Sequence, residues 1–123
     1  MRVGCAIVST DFRQISLGFN GNAAGLHNGC DSDEVGACGC LHAELNAALN
    51  CQIPRTTGKI VFATHLPCSG CAKALINFGD VGDKKNSIKK VYYLNDYRIK
   101  DSLKWFDKIG IEAVQFEPPD VRP

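Results

Sequence analysis

The chain has 123 residues, 45% of them apolar and 22% charged, the size and balance of one globular domain spanning 1–123. Its formal net charge of +1 offers no broad basic field to hold a nucleic-acid backbone, which speaks against a DNA or RNA polymer as partner. No apolar run approaches the roughly 20 residues that a bilayer-spanning helix needs, so no membrane association is expected.

The opening MRVGCAIVST is too short for a signal peptide and reads as a strand over 3–8. After the polar STDFR turn, QISLGF at 14–19 makes a hairpin with it. A glycine-rich loop runs from Gly21 to Gly39. LHAELNAALN opens a helix over about 41–51, with Leu41, Leu45, Ala48 and Leu49 spaced as a core-facing stripe. GKIVFAT at 58–64 is a continuous apolar run, expected of a strand buried on both faces. A second helix follows at about 69–78, with Ala72, Leu75 and Ile76 inward and Gly79 as its stop. DVGDKKNS at 80–87 is a polar surface loop, and IKKVYYL at 88–94 a strand. A third helix covers 101–109, with Leu103, Phe106 and Ile109 towards the core, and Gly110 ends it. IEAVQF at 111–116 is the last strand, and EPPDVRP an extended tail. Strands alternating with helices over the last two thirds imply parallel β-α-β units, and the hairpin makes the sheet mixed.

Two motifs carry chemistry. His42 and Glu44 stand at the head of the first helix. Burying an unpaired carboxylate costs several kcal/mol, so such a group is exposed, paired or functional. Helix capping is the plain alternative, because acids are favoured in a first turn. PCSGC at 67–71 shifts the balance. Cys68 and Cys71, one helical turn apart behind a proline, have metal-ligand spacing, and with His42 they form a three-ligand zinc site whose fourth position is left for water. Glu44 then serves as acid/base, and H-x-E followed by P-C-x-x-C is the signature of zinc deaminases. Residues two apart on a helix point about 200° from each other. His42 and Glu44 therefore share a site only if the helix aims its N-terminus at it.

Seven cysteines also admit a disulfide framework. The odd count and the C-x-x-C behind proline favour thiols in a reducing cytoplasm. His27, Cys30, Cys38 and Cys40 are four soft ligands in one loop. They read either as a second, structural zinc or as free thiols in a glycine-rich loop. Cys5 and Cys51 read as core residues.

With these motifs in place, the sequence resembles the deoxycytidylate deaminase family of the cytidine deaminase-like superfamily over nearly its whole length. GFNG at 18–21, HAELNA at 42–47, ATHLPCSGCAKALI at 63–76 and IKKVYYLNDYR at 88–98 carry the resemblance. It implies a three-layer α/β fold, with a mixed five-stranded sheet and helices on both faces. It implies hydrolytic deamination of dCMP to dUMP and ammonia, feeding dTMP synthesis. Water activated by zinc attacks C4 of cytosine while Glu44 moves the protons. Asn20, Ala43 and Tyr97 would meet the substrate. Family members are often hexamers, so a homo-oligomer is expected.

The chain departs from the family pattern in three places. The usual helix before the first strand is absent or very short, Phe19 stands where tyrosine is usual, and 80–87 is an insertion. The competing readings are a deaminase of dCTP, cytidine, guanine or tRNA adenosine, a structural zinc module, and a redox dithiol at Cys68 and Cys71. Arg98, Lys73, Lys84 and Lys85 are candidates for the 5′-phosphate, and spacing favours none of them.

Overall fold

The computed structural model describes residues 2–26, 39–83, 85–97 and 99–117. Five strands and three helices follow one another as β1 (Gly4–Ser9), β2 (Ile15–Phe19), α1 (Ala43–Asn50), β3 (Lys59–His65), α2 (Ser69–Gly79), β4 (Ile88–Asn95), α3 (Asp101–Ile109) and β5 (Glu112–Gln115). They form one mixed sheet in the order β2-β1-β3-β4-β5. β1 is antiparallel to both its neighbours, and β3, β4 and β5 run parallel. Every element expected from the sequence is present, with ends shifted by one or two residues. Among the described residues no helix is long and apolar enough to cross a membrane.

The strand register sorts the sheet into two faces. Cys5 pairs with Gly18 and Ala63, and Ile7 with Ser16 and Val61. Val61 pairs in turn with Val91, and Val91 with Ala113. Of these, Cys5, Ile7, Val61 and Val91 form one core cluster with Ala43 and Ala47 of α1, Ala72 and Leu75 of α2, and Phe106 of α3, and Ala113 packs against it. The crossovers β3-α2-β4 and β4-α3-β5 advance the same way across the sheet, and right-handed connections then put both helices on one face. Trp105 Nε1 of α3 donates to Ser69 Oγ of α2 at 2.8 Å, tying the two together. The expected second helical layer is therefore not found among the described residues, where all three helices lie on one face. The opposite face carries an aromatic group. Phe62 and Tyr92 stack at 5.3 Å between ring centroids, and Phe116 stands edge-on to Tyr92 at 6.0 Å. For the same reason β3 is not buried on both sides. Lys59, Val61 and Ala63 are buried, while Ile60 and Phe62 are half-buried.

The expected stripe on α1 is also corrected. Ala43, Glu44 and Ala47 are its buried residues, whereas Leu41, Leu45 and Ala48 are half-buried and Leu49 is 69% exposed. Small residues face inward because α1 lies hard against β2. A Cβ on Gly18 would stand 2.2 Å from the Ala47 nitrogen, so only glycine fits there. Ser16 Oγ donates to Ala47 O at 2.7 Å at the same contact. On α3, Phe106 is buried as expected, but Ile109 is 45% exposed. Gly110 ends that helix in the left-handed region at φ 82°, as read from the sequence. Gly79 does not stop α2 in that way. Its place is fixed by Asn86 Oδ1, which a Cβ would approach to 2.0 Å.

Candidate metal centre and active-site cavity

α1 and α2 both present their N-termini to one place. His42 is the N-cap of α1, extended at ψ 153°, and its side chain makes no capping hydrogen bond. The helix thus begins one residue after the histidine, not before it. This resolves the geometric difficulty: His42 projects from the extended chain and Glu44 from the first turn. Leu41 is held in that extended approach by Gly21. Leu41 N donates to Gly21 O at 2.7 Å, and Gly21 N to Leu41 O at 3.0 Å, which brings the GFNG segment beside the histidine. Cys68 is the N-cap of α2, and its Sγ accepts from Cys71 N at 3.4 Å.

The imidazole is turned onto the thiols. His42 Nδ1 lies 3.5 Å from Cys68 Sγ and 3.2 Å from Cys71 Sγ, and the three ligand atoms all lie within 4.8 Å of one another. A tetrahedron built on Zn–N of about 2.0–2.1 Å and Zn–S of about 2.3 Å has edges of about 3.5–3.8 Å, so this donor set fits zinc with one position to spare. Burial pushes the Cys71 thiol well up, with the Glu44 carboxylate, which it hydrogen-bonds, as the next cause. Cys5, behind the site, is pushed up to about 12 by burial and then by Glu44. A carboxylate that is 4% exposed thus lies against the thiol cluster.

A cavity of about 300 Å³ opens over these groups, at the lower end of the range for small-molecule sites. His42, Glu44 and Cys68 line it together with the three expected substrate contacts, Asn20, Ala43 and Tyr97. Asn20 is placed by Val3, just ahead of β1: its Oδ1 accepts from Val3 N at 2.9 Å, and its N donates to Val3 O at 3.2 Å. The cavity also includes His65, Leu66 and Cys40, to which sequence reasoning gave no place there. The Thr-His pair ahead of Pro67 was a readable signal, because it ends a strand beside the metal motif. Of the second cluster, His27, Cys30 and Cys38 lie outside the described residues, as do Lys84 and Arg98. Lys73 is not in the cavity wall; its Nζ lies 4.8 Å from the centre of the Trp105 ring. Cys5 is buried and Cys51 half-buried against the core, as expected.

A mixed sheet on which α1 and α2 bring His-x-Glu and Cys-x-x-Cys together defines a zinc deaminase architecture. Residues 1–85 match the family model for the cytidine and deoxycytidylate deaminase zinc-binding region, and the chain belongs to that family. Among its relatives, ComE operon protein 2 of Bacillus subtilis is 35% identical over 95% of this chain and 61% of its own length. The deoxycytidylate deaminase of Saccharomyces cerevisiae is 33% identical over 94% of this chain and 38% of its own. The chain thus spans less than two thirds of either. The dCMP deaminase of cyanophage S-TIM5, solved with dCMP and dUMP, superposes with a TM-score of 0.76 at 32% identity, over 94% of this chain and 82% of that one. The Rib2 deaminase of Aspergillus oryzae, at 17% identity and a TM-score of 0.63, shares the fold.

Proposed function

We propose that this protein hydrolyses dCMP to dUMP and ammonia, with His42, Cys68 and Cys71 holding a zinc ion and Glu44 as acid/base. The observation that carries the reading is the cluster of three ligand atoms beside a buried carboxylate, with His42, Cys68 and Glu44 lining one cavity of about 300 Å³. Similarity to a dCMP deaminase solved with dCMP and dUMP supports the choice of base and sugar phosphate. Zinc, when bound, supplies a Lewis acid that makes water nucleophilic near neutral pH. Glu44 accepts a proton from the attacking water and delivers it to N3 of cytosine, then takes the second proton from the hydroxyl now on C4 and gives it to the amino group as the C4–N bond breaks and the C4 carbonyl forms. Asn20, Ala43 and Tyr97 form the wall against which the nucleotide is oriented. A homo-oligomeric state belongs to the same reading and is checked by light scattering.

The test combines metal analysis of the purified protein with ammonia release from dCMP, dCTP, deoxycytidine and cytidine. At least one zinc per chain and a strong preference for dCMP are expected, since a site built around a charged group penalises a ligand lacking it. Active protein without zinc would overturn the mechanism. Equal efficiency on deoxycytidine and dCMP would move the assignment to a nucleoside deaminase.

A further inference from the structure

The Thr64–His65 pair at the end of β3 takes no part in the metal triad or in the proton transfers of Glu44, yet His65 lines the cavity. Its ring is held. Thr64 Oγ1 lies 2.9 Å from His65 Nδ1 and accepts from Gly4 N at 3.1 Å. A hydroxyl that already accepts the Gly4 N–H still has its own hydrogen to give. Donation to Nδ1 satisfies both groups and leaves the neutral imidazole with its proton on Nε2. The backbone is pinned as well. His65 pairs with Asn95 in the β3–β4 register, Asn95 Nδ2 donates to Thr64 O at 2.9 Å, and Leu66 N donates to Asn95 O at 2.8 Å. The cavity wall thus carries an N–H donor fixed by two strands.

What such a donor would meet follows from the other lining groups. Among the described residues of the cavity wall, His42 and His65 are the side chains able to carry positive charge. His42 is turned onto the two thiols. The reacting base must lie at the triad and Glu44. His65 stands three residues before Cys68, a chain reach of at most about 10 Å, so it lies within a nucleotide's length of the metal ligands. The anionic part of a deoxynucleotide is its phosphate, and an N–H to phosphate bond is charge-assisted. We propose that His65 donates from Nε2 to the 5′-phosphate of the substrate and, among the described residues, selects nucleotide over nucleoside; this rests on the nucleotide-deaminase reading above.

The experiment compares the zinc-loaded parent with His65→Phe, which keeps a ring and removes the donor, and His65→Gln, whose amide can reach the Nε2 position. Steady-state kinetics use dCMP and deoxycytidine, and calorimetric titrations use dUMP and deoxyuridine. In His65→Phe the KM for dCMP should rise about tenfold to a hundredfold with kcat kept within a few-fold, the loss expected for one charge-assisted hydrogen bond. Binding of dUMP should weaken by a similar factor, while deoxycytidine turnover and deoxyuridine binding stay within about twofold; His65→Gln should recover most of the loss. Parallel losses on dCMP and deoxycytidine, or an unchanged KM for dCMP, would overturn the assignment. If the parent deaminates neither substrate, the deaminase reading fails and the titrations still decide His65. Weaker binding of dUMP but not of deoxyuridine upholds the contact, and equal binding in parent and His65→Phe rejects it.

Discussion

Glu44 and Lys59 are both charged residues buried on the helical face of the sheet, 4% and 0% exposed, and they are satisfied in opposite ways. Lys59 Nζ donates to Pro54 O at 2.8 Å, Arg55 O at 3.0 Å and Thr57 O at 2.8 Å. An ammonium has three protons, and three carbonyls take them. Burial lowers the Lys59 pKa, but the group has no donor left to offer a ligand. Its work is to fold the 54–57 segment over the start of β3. Glu44 instead lies against the Cys71 thiol and faces a cavity. A buried charge therefore marks a site only when its partners leave it something to exchange. Burial alone would have flagged both residues equally.

The sharpest way to break the comparison is Glu44→Gln. Glutamine is nearly isosteric and cannot accept a proton from water, so turnover of dCMP should fall by at least 10²–10⁴-fold, roughly the contribution of positioned acid/base catalysis. Zinc content and melting temperature should hold. KM should change far less than kcat, because the lost interaction belongs mainly to the transition state. Activity within a few-fold of the parent would return Glu44 to the role of a helix cap, worth about 1 kcal/mol or less.

Lys59→Met should do the reverse. It removes the charge and leaves three carbonyls without their donor, each unsatisfied group costing about 1–3 kcal/mol before water or rearrangement recovers part of it. A net loss of about 2–4 kcal/mol is expected, with a fall in melting temperature of roughly 10 °C. Since the 54–57 segment does not line the cavity, kcat and KM of the folded fraction should stay within a few-fold. A large kinetic change with an unaltered melting temperature would mean that Lys59 is coupled to the site after all.

The same contrast explains what could be read from the sequence. His42, Glu44, Cys68 and Cys71 were legible because their chemistry is local: ligand spacing on two helix starts survives whatever the rest of the chain does. The element order was legible for a similar reason, since strand and helix patterns repeat over a few residues. The inward face of α1 was not. Leucines at helical spacing suggested a stripe, but Gly18 lets the helix approach β2 so closely that only Ala43 and Ala47 fit between them. That contact joins residues about 29 apart, and no local period encodes it. Lys59 read as one more residue of an apolar strand, because its three acceptors belong to a loop whose path the sequence does not spell out. His65 was visible within a motif, but its role depends on Thr64 and Gly4 meeting across two strands.

A finer cut tests whether the three carbonyls alone account for Lys59. Ser87 is buried at 3% exposure, and its Oγ lies 3.5 Å from Lys59 Nζ, a long contact by hydrogen-bond standards. With its three protons committed to carbonyls at 2.8–3.0 Å, the ammonium has none for a fourth acceptor. The Ser87 backbone carries a separate and stronger tie: Lys59 N donates to Ser87 O at 2.7 Å, and that bond survives any change of side chain. Ser87→Ala should therefore cost less than about 1 kcal/mol, below a typical hydrogen bond and well below Lys59→Met. Denaturant titration of the parent, the two single variants and the double variant measures the coupling directly. A coupling near zero keeps the carbonyl account. A Ser87→Ala loss approaching that of Lys59→Met would show that the hydroxyl belongs to the cage and that the ammonium shares its protons among four acceptors.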